Sequence, residues 1–189
     1  MWRLLASGLV GLVAACSSVP LTSLPKLAAI SPFSLDPAAL EVAVRIPEDL
    51  RLPAEGVTLD FQVTREGSSE LIEEVFVLDP VPGPLSAGLE DKGRKGTRIY
   101  RYRIAPDDHA RMTAFRETLV KLKAEPGRKK LDMKANAKPC LVPGANPFQK
   151  AKVSVFLRTA PDEDFFTLLD NAVVPLADQH GTPNRCAKA

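Results

Sequence analysis

Two histidines, three cysteines and several adjacent carboxylates are what this chain offers for chemistry. His109 directly follows Asp107 and Asp108, which looks like half of a catalytic triad. Neighbours on a helix, however, diverge by about 100° and do not face one another, so the trio reads as the solvated start of a helix. His180 opens a C-terminal stretch, 180–189, with few apolar residues. Glu73 and Glu74 are consecutive; in a strand they point to opposite faces and cannot share acid and base work without a bulge. Gly93-Arg94-Lys95-Gly96 combines glycine with positive charge but lacks the strand-to-helix context of a phosphate cradle. No serine occupies a Gly-x-Ser-x-Gly elbow and no histidine pair has metal spacing. The expectation is a protein with no catalytic, cofactor-binding or metal-binding residues, and so not an enzyme.

The remaining chemistry belongs to the N-terminus. Met1-Trp2-Arg3 is followed by an apolar run from Leu4 to Leu12 and then by Val13-Ala14-Ala15-Cys16-Ser17-Ser18. One positive charge, a short apolar core and small residues before a break are the parts of a secretory signal. The run is too short to cross about 30 Å of hydrocarbon as a helix. Leu12-Val13-Ala14-Ala15-Cys16 resembles the lipobox of bacterial lipoproteins at every position. That resemblance, confined to residues 1–16, implies cleavage before Cys16, a diacylglycerol thioether on its sulfur and an acyl chain on its amine. Two or more chains anchor stably where one is marginal. In the enteric version of the class an aspartate after the cysteine retains the protein in the inner membrane. Ser17 stands there, which favours the outer membrane, facing the periplasm.

Lipidation of Cys16 leaves Cys140 and Cys186, an even pair in an oxidising space. We expect them to form a disulfide. In the chain-entropy model, closing a loop of about 46 residues stabilises a fold by about 4 kcal/mol, and this one would tie down the tail from His180 to Ala189.

Charge is divided along the chain. Residues 36–91 carry 13 acidic and 3 basic side chains, whereas residues 92–138 carry 5 acidic and 15 basic. Cross-strand ion pairs within the fold would absorb this division. The functional alternative is a basic patch of Arg98, Arg101, Arg103, Arg128, Lys129, Lys130 and Lys134, with Arg94 and Lys95 near it, able to attract anionic lipid or an acidic envelope polymer. Nucleic acid is not expected as a partner: the compartment excludes most of it, and no recognition motif interleaves aromatics with the basic residues.

Periodicity supplies the elements that would hold these groups. Residues 16–37 are rich in Ser, Pro and Leu and read as a tether, able to reach roughly 60 Å as polyproline II. Leu21, Leu24, Leu27, Ile30 and Phe33 fall every third residue, a column suited to a groove of the domain itself or to a partner. Alternation then predicts strands over Leu40–Ile46, Val57–Val63, Leu71–Leu78 (with a bulge or edge at Glu73-Glu74), Arg98–Ile104, Lys129–Ala137, Lys152–Arg158 and Phe165–Leu169. Asp79 to Gly96, with four glycines and three prolines, reads as a long surface loop. One helix is predicted after Asp107-Asp108, with Met112, Phe115, Leu119 and Leu122 as its apolar stripe and Pro126-Gly127 as its stop. Seventeen prolines argue against a helical bundle.

The expected fold is all-β: a single immunoglobulin-like β-sandwich domain at 38–189, of about seven strands with one connecting helix, behind a signal peptide at 1–15 and a lipidated tether at 16–37. The expected function is a non-enzymatic interaction or scaffold module of the envelope, bound to the membrane by its anchor and to an envelope protein partner. A carrier of lipid or another apolar ligand is the alternative, and a periplasmic hydrolase a third reading.

Overall fold

The structure, a computed structural model, describes residues 36–67, 71–146, 150–177 and 182–187. The leader, Cys16, the tether with its column from Leu21 to Phe33, and His180 lie outside them. The elements are β1 (Glu41–Pro47), β2 (Leu50–Arg51), β3 (Val57–Arg65), β4 (Leu71–Pro80), α1 (Ala87–Glu90), β5 (Thr97–Ile104), α2 (His109–Ala124), β6 (Lys129–Ala137), β7 (Cys140–Leu141), β8 (Lys150–Arg158) and β9 (Phe166–Pro175). A single 3₁₀ turn, Pro106–Asp108, leads into α2.

The seven long strands form one antiparallel sheet in the order β6-β3-β4-β5-β1-β8-β9, and β2 pairs with β7 beside it. The domain is therefore mostly β with one long connecting helix, as its alternation implies. Its strands belong to one curled sheet. The curl is made by β4: residues Thr58–Thr64 of β3 pair with its first part, Leu71–Val77, whereas β5 pairs only with Leu78–Pro80. Beyond Leu78 the strand has changed neighbours, and the two wings of the sheet turn toward a shared core.

That core draws on every long strand. Val42, Val44 and Ile46 of β1, Leu59, Phe61 and Val63 of β3, Phe76 and Leu78 of β4, Tyr102 and Ile104 of β5, and Val153, Val155 and Leu157 of β8 are buried together. Helix α2 lays Met112, Phe115 and Leu119 on them, and Phe61 packs edge-on to Phe76 at 6.0 Å and against Phe115 at 5.3 Å. The sequence stripe and the strand alternation meet here because each element turns an apolar face or stripe toward this core.

Several expectations meet the structure in altered form. Of the bulge or edge expected at Glu73-Glu74, the edge forms: the β3–β4 pairing runs unbroken from Thr58↔Val77 to Thr64↔Leu71, while β5 pairs only with Leu78–Pro80 and leaves Leu71–Val77 paired on one side, with Glu73 accepting from Gln62 at 2.7 Å and Glu74 meeting Arg111 of α2 at 2.5 Å. The irregularities sit in β9 instead, which also runs well past Leu169 to Pro175. The segment from Asp79 to Gly96 is more than a surface loop, since it holds α1 and buries Leu89 completely. Strand β1 has two buried faces, because this segment covers the second one.

The disulfide is present, Cys140 bonded to Cys186. It holds the tail against β7, where the Leu141 N–H donates to the Asn184 carbonyl (2.8 Å) and the Cys186 N–H donates to the Leu141 carbonyl (2.9 Å).

Candidate functional site

Opposite the main core, β1 and β8 present three matched pairs in register: Glu41 with Arg158, Ala43 with Phe156, and Arg45 with Ser154. The middle pair is apolar and the outer two are ionic or polar. Segment 81–96 folds over the middle: Leu89 of α1, and Leu85 just before that helix, join Ala43, Ile99, Phe156 and Phe165 in a second apolar cluster. Its two ends are polar clusters.

At the first end, Glu41 lies 2.8 Å from Arg158 and 4.0 Å from Arg101. Arg158 also lies over the Phe165 ring at 5.0 Å. Arg101 donates to the Pro82 carbonyl at 3.2 Å, fastening the start of the covering segment.

The second end is the more unusual. Arg45 occupies a central strand and is only 5% exposed. Its Nη1 donates to the Lys92 carbonyl at 2.6 Å, and its Nη2 donates to Ser154 Oγ at 2.7 Å and to Asp170 Oδ1 at 3.1 Å. The Ser154 hydroxyl donates in turn to Asp170 Oδ1 at 3.0 Å and accepts from the Asn171 N–H at 3.0 Å. Arg94 stands on the other side of the same carboxylate, 3.8 Å from Asp170 and 3.3 Å from Asn171 Oδ1. Burial first, and the charge of Arg94 next, push the Arg45 guanidinium pKa down, against the opposing pull of Asp170.

Backbone irregularity builds this end. Val153 pairs with Ala172, Val155 with Leu169 and Phe156 with Thr167, so β9 bulges twice against β8. The extra residues turn Asp170 toward Arg45. Asn171 takes up the slack with φ 52°, the only positive φ at a non-glycine among the described residues. Asparagine tolerates that conformation better than most side chains. Between the segment and the sheet lies a cavity of about 350 Å³, lined by Arg45, Lys92, Arg94, Phe156, Thr167 and Asp170 and also reached by Asp91.

The seven residues expected to form a basic patch fall into two groups. Arg101 and Arg103 share the outer face of β5, with Arg103 opposite Glu41 and Asp79 in register, whereas Arg98 alternates with them, on the face of Tyr100 and Tyr102, and stands opposite Ile46, so the three expected arginines do not form one face. Arg128 precedes β6, which carries Lys129, Lys130 and Lys134. The two groups are separated by β3 and β4. Lys130 meets Asp132 at 2.9 Å, Lys134 stands opposite Asp60, and Lys129 donates to the Glu125 and Pro126 carbonyls. The sheet order places neutral β3 and acidic β4 between basic β6 and β5, which offsets part of the charge division.

His109 Nε2 donates to the Ile104 carbonyl at 3.2 Å, and the Asp108 carboxylate beside it is held by Arg111 at 3.0 Å. Both are helix-entry contacts. Among the described residues no group of three or more His, Cys, Asp or Glu is placed to hold a metal.

The Arg45-Ser154-Asp170 cluster was not singled out by sequence reasoning, since its members lie up to 125 residues apart. The available signals were a lone arginine inside an otherwise apolar strand and an Asp-Asn pair interrupting another.

Fold and site together define a class: a mostly β domain with a curled seven-stranded antiparallel sheet, whose outer face is covered by its own 81–96 segment between two ionic clusters. No protein-family model matches the chain, and neither curated proteins nor solved structures give a match.

Proposed function

We propose that this is a lipid-anchored envelope protein, held through Cys16 on the periplasmic side of the outer membrane. Its domain at 38–189 acts as a non-enzymatic interaction module behind the 16–37 tether. The partition of the three cysteines carries the reading. Cys140 and Cys186 are bonded to each other, as suits an oxidising compartment, and Cys16, the last residue of the lipobox-like Leu12-Val13-Ala14-Ala15-Cys16, is left over.

The outer face of β4 supports an interaction role. Leu71, Val75 and Val77 lie on it at 50%, 49% and 39% exposure, and exposed apolar strips on a sheet mark contact surfaces. Beside them the basic residues of β5 and β6 are two separate sites for anionic lipid or an acidic polymer. A carrier of apolar ligands is the second reading, favoured by a cleft of about 240 Å³ bounded by Val63, Leu119, Leu122 and Leu131. That volume is below the usual range of ligand pockets. For the fold, the shared core between the two wings supports sandwich-like packing, while β1 lying between β5 and β8 speaks against an immunoglobulin strand order.

Metabolic labelling with an alkyne fatty acid, followed by membrane fractionation and cross-linking, tests the proposal. Wild-type protein should carry the label, fractionate with the outer membrane and cross-link to a specific envelope protein. Cys16→Ser should lose the label. Label on Cys16→Ser, or none on wild type, would overturn the anchor.

A further inference from the structure

An arginine in a central strand is a costly residue to bury, and a hydrophobic side chain of similar volume is often as stable or more so. Here the neighbouring Ala43, Phe156 and Leu89 already form an apolar cluster that such a side chain could extend. Arg45 is instead retained with a bulged β9, a left-handed Asn171 and a buried Ser154 arranged around it. Strained backbone, a bulge and a buried charge in one place are features that collect at binding sites.

The charges of the cavity are unequal. Arg45, Lys92 and Arg94 line it against Asp91 and Asp170. Asp170 is already shared between Arg45, Ser154 and Arg94. The cations come from two directions, β1 on one side and the 81–96 segment on the other, and Arg94 keeps 55% of its side chain exposed at the mouth. Guanidinium and ammonium groups converging from separate elements suit an anion that offers oxygens out of one plane.

We propose that this cavity binds a phosphate group, with Lys92 and Arg94 as its principal donors and the Arg45-Ser154-Asp170 cluster as the frame that holds the segment in place. The phosphate could be that of a soluble ester or of a lipid headgroup. The assignment does not depend on the anchor, so its failure would leave the Cys16 reading intact.

The test uses the full chain in detergent, with inorganic phosphate and glycerol 3-phosphate as probes and acetate at equal ionic strength as the planar control. Thermal unfolding should shift upward with phosphate and saturate below about 10 mM. Arg94→Gln and Lys92→Gln should each weaken binding roughly tenfold, the loss of one charge-assisted hydrogen bond, while Lys121→Gln, exposed on α2 on the main-core side of the sheet, should bind as wild type does. Circular dichroism of Arg94→Gln should match wild type, because the side chain is largely exposed. Saturation absent in wild type, unchanged affinity in Arg94→Gln and Lys92→Gln, or acetate binding as well as phosphate would each overturn the proposal. Vesicles of phosphatidylglycerol that displace glycerol 3-phosphate would support the site with a headgroup as its ligand; vesicles without effect, alongside saturable glycerol 3-phosphate, would support it with a soluble ester.

Discussion

Arg45 and Asp170 are 125 residues apart in sequence and meet at 3.1 Å, with Ser154 bonded to both. Removing Asp170 leaves a buried guanidinium without its counter-charge, for which the usual cost is about 3–5 kcal/mol. Asp170 is itself 37% exposed, so the expected loss for Asp170→Asn is smaller, about 2 kcal/mol. Ser154→Ala should cost about 1–2 kcal/mol by orphaning the Asn171 N–H and an Arg45 donor. Arg45→Met combined with Asp170→Asn should recover most of the loss, since no charge is then stranded. Urea unfolding midpoints of the four proteins check this; equal midpoints would mean that water replaces the carboxylate without penalty.

Arg111 closes the place where β5 leaves β4. Its Nε and Nη2 donate to the two oxygens of Asp108 at 3.0 Å, its Nη1 to Glu74 at 2.5 Å and its Nη2 to the Val75 carbonyl at 3.0 Å, while the guanidinium lies 4.1 Å over the Phe76 ring. Its hydrogen bond to Asp108, against the lowering effect of burial and helped by the one to Glu74, raises its pKa. Because Arg111 is 41% exposed, Arg111→Ala should cost only about 1–2 kcal/mol. Arg111→Lys should recover little of that, having no planar fork for Asp108. Hydrogen exchange should quicken in Leu71–Val77 and the first turn of α2; uniform exchange across the domain would show no such local role.

The disulfide pins the tail to β7 across a sequence separation of 46. Cys186→Ser should lower stability by about 4 kcal/mol in the chain-entropy model, and non-reducing peptide mapping of wild type should give one pair joining Cys140 to Cys186. Denaturation with and without reductant measures the cost. Free thiols at both positions in protein isolated without reductant would contradict the pairing.

Tyr102 gives the fold an alkaline limit. It is 2% exposed, and burial first, with Tyr100 beside it, pushes its pKa up to about 12. The folded state therefore keeps the phenol proton above about pH 10, where the unfolded chain releases it. The contribution is complete below about pH 10 and falls as pH rises toward 12, by about 2–3 kcal/mol. Urea midpoints over that range should drop in wild type and drop less in Tyr102→Phe. Parallel profiles would mean that other groups set the limit.

Much of the framework was legible because it depends on local periodicity. The stripe Met112, Phe115, Leu119 lies on the core as its spacing implies, β6 spans Lys129–Ala137 as its alternation implies, and two cysteines left after Cys16 pair with each other. The outer face was not legible. Leu85 and Leu89 stand among glycines and prolines, too few to signal a helix, and become apolar cover only because Ala43, Phe156 and Phe165 lie beneath them.

The sequence by itself determined which strand faces and which helix stripe enter the main core, and that Cys140 and Cys186 are available to pair. Tertiary structure decided which strands are neighbours, and that separated the basic residues of β5 from those of β6 by β3 and acidic β4. It also decided the bulges of β9, which bring Asp170 to Arg45. The physical reason is range. A period of two or 3.6 residues is set by each segment's own backbone, whereas strand order, bulges and the pairing of a buried charge follow from contacts between segments that no local spacing records.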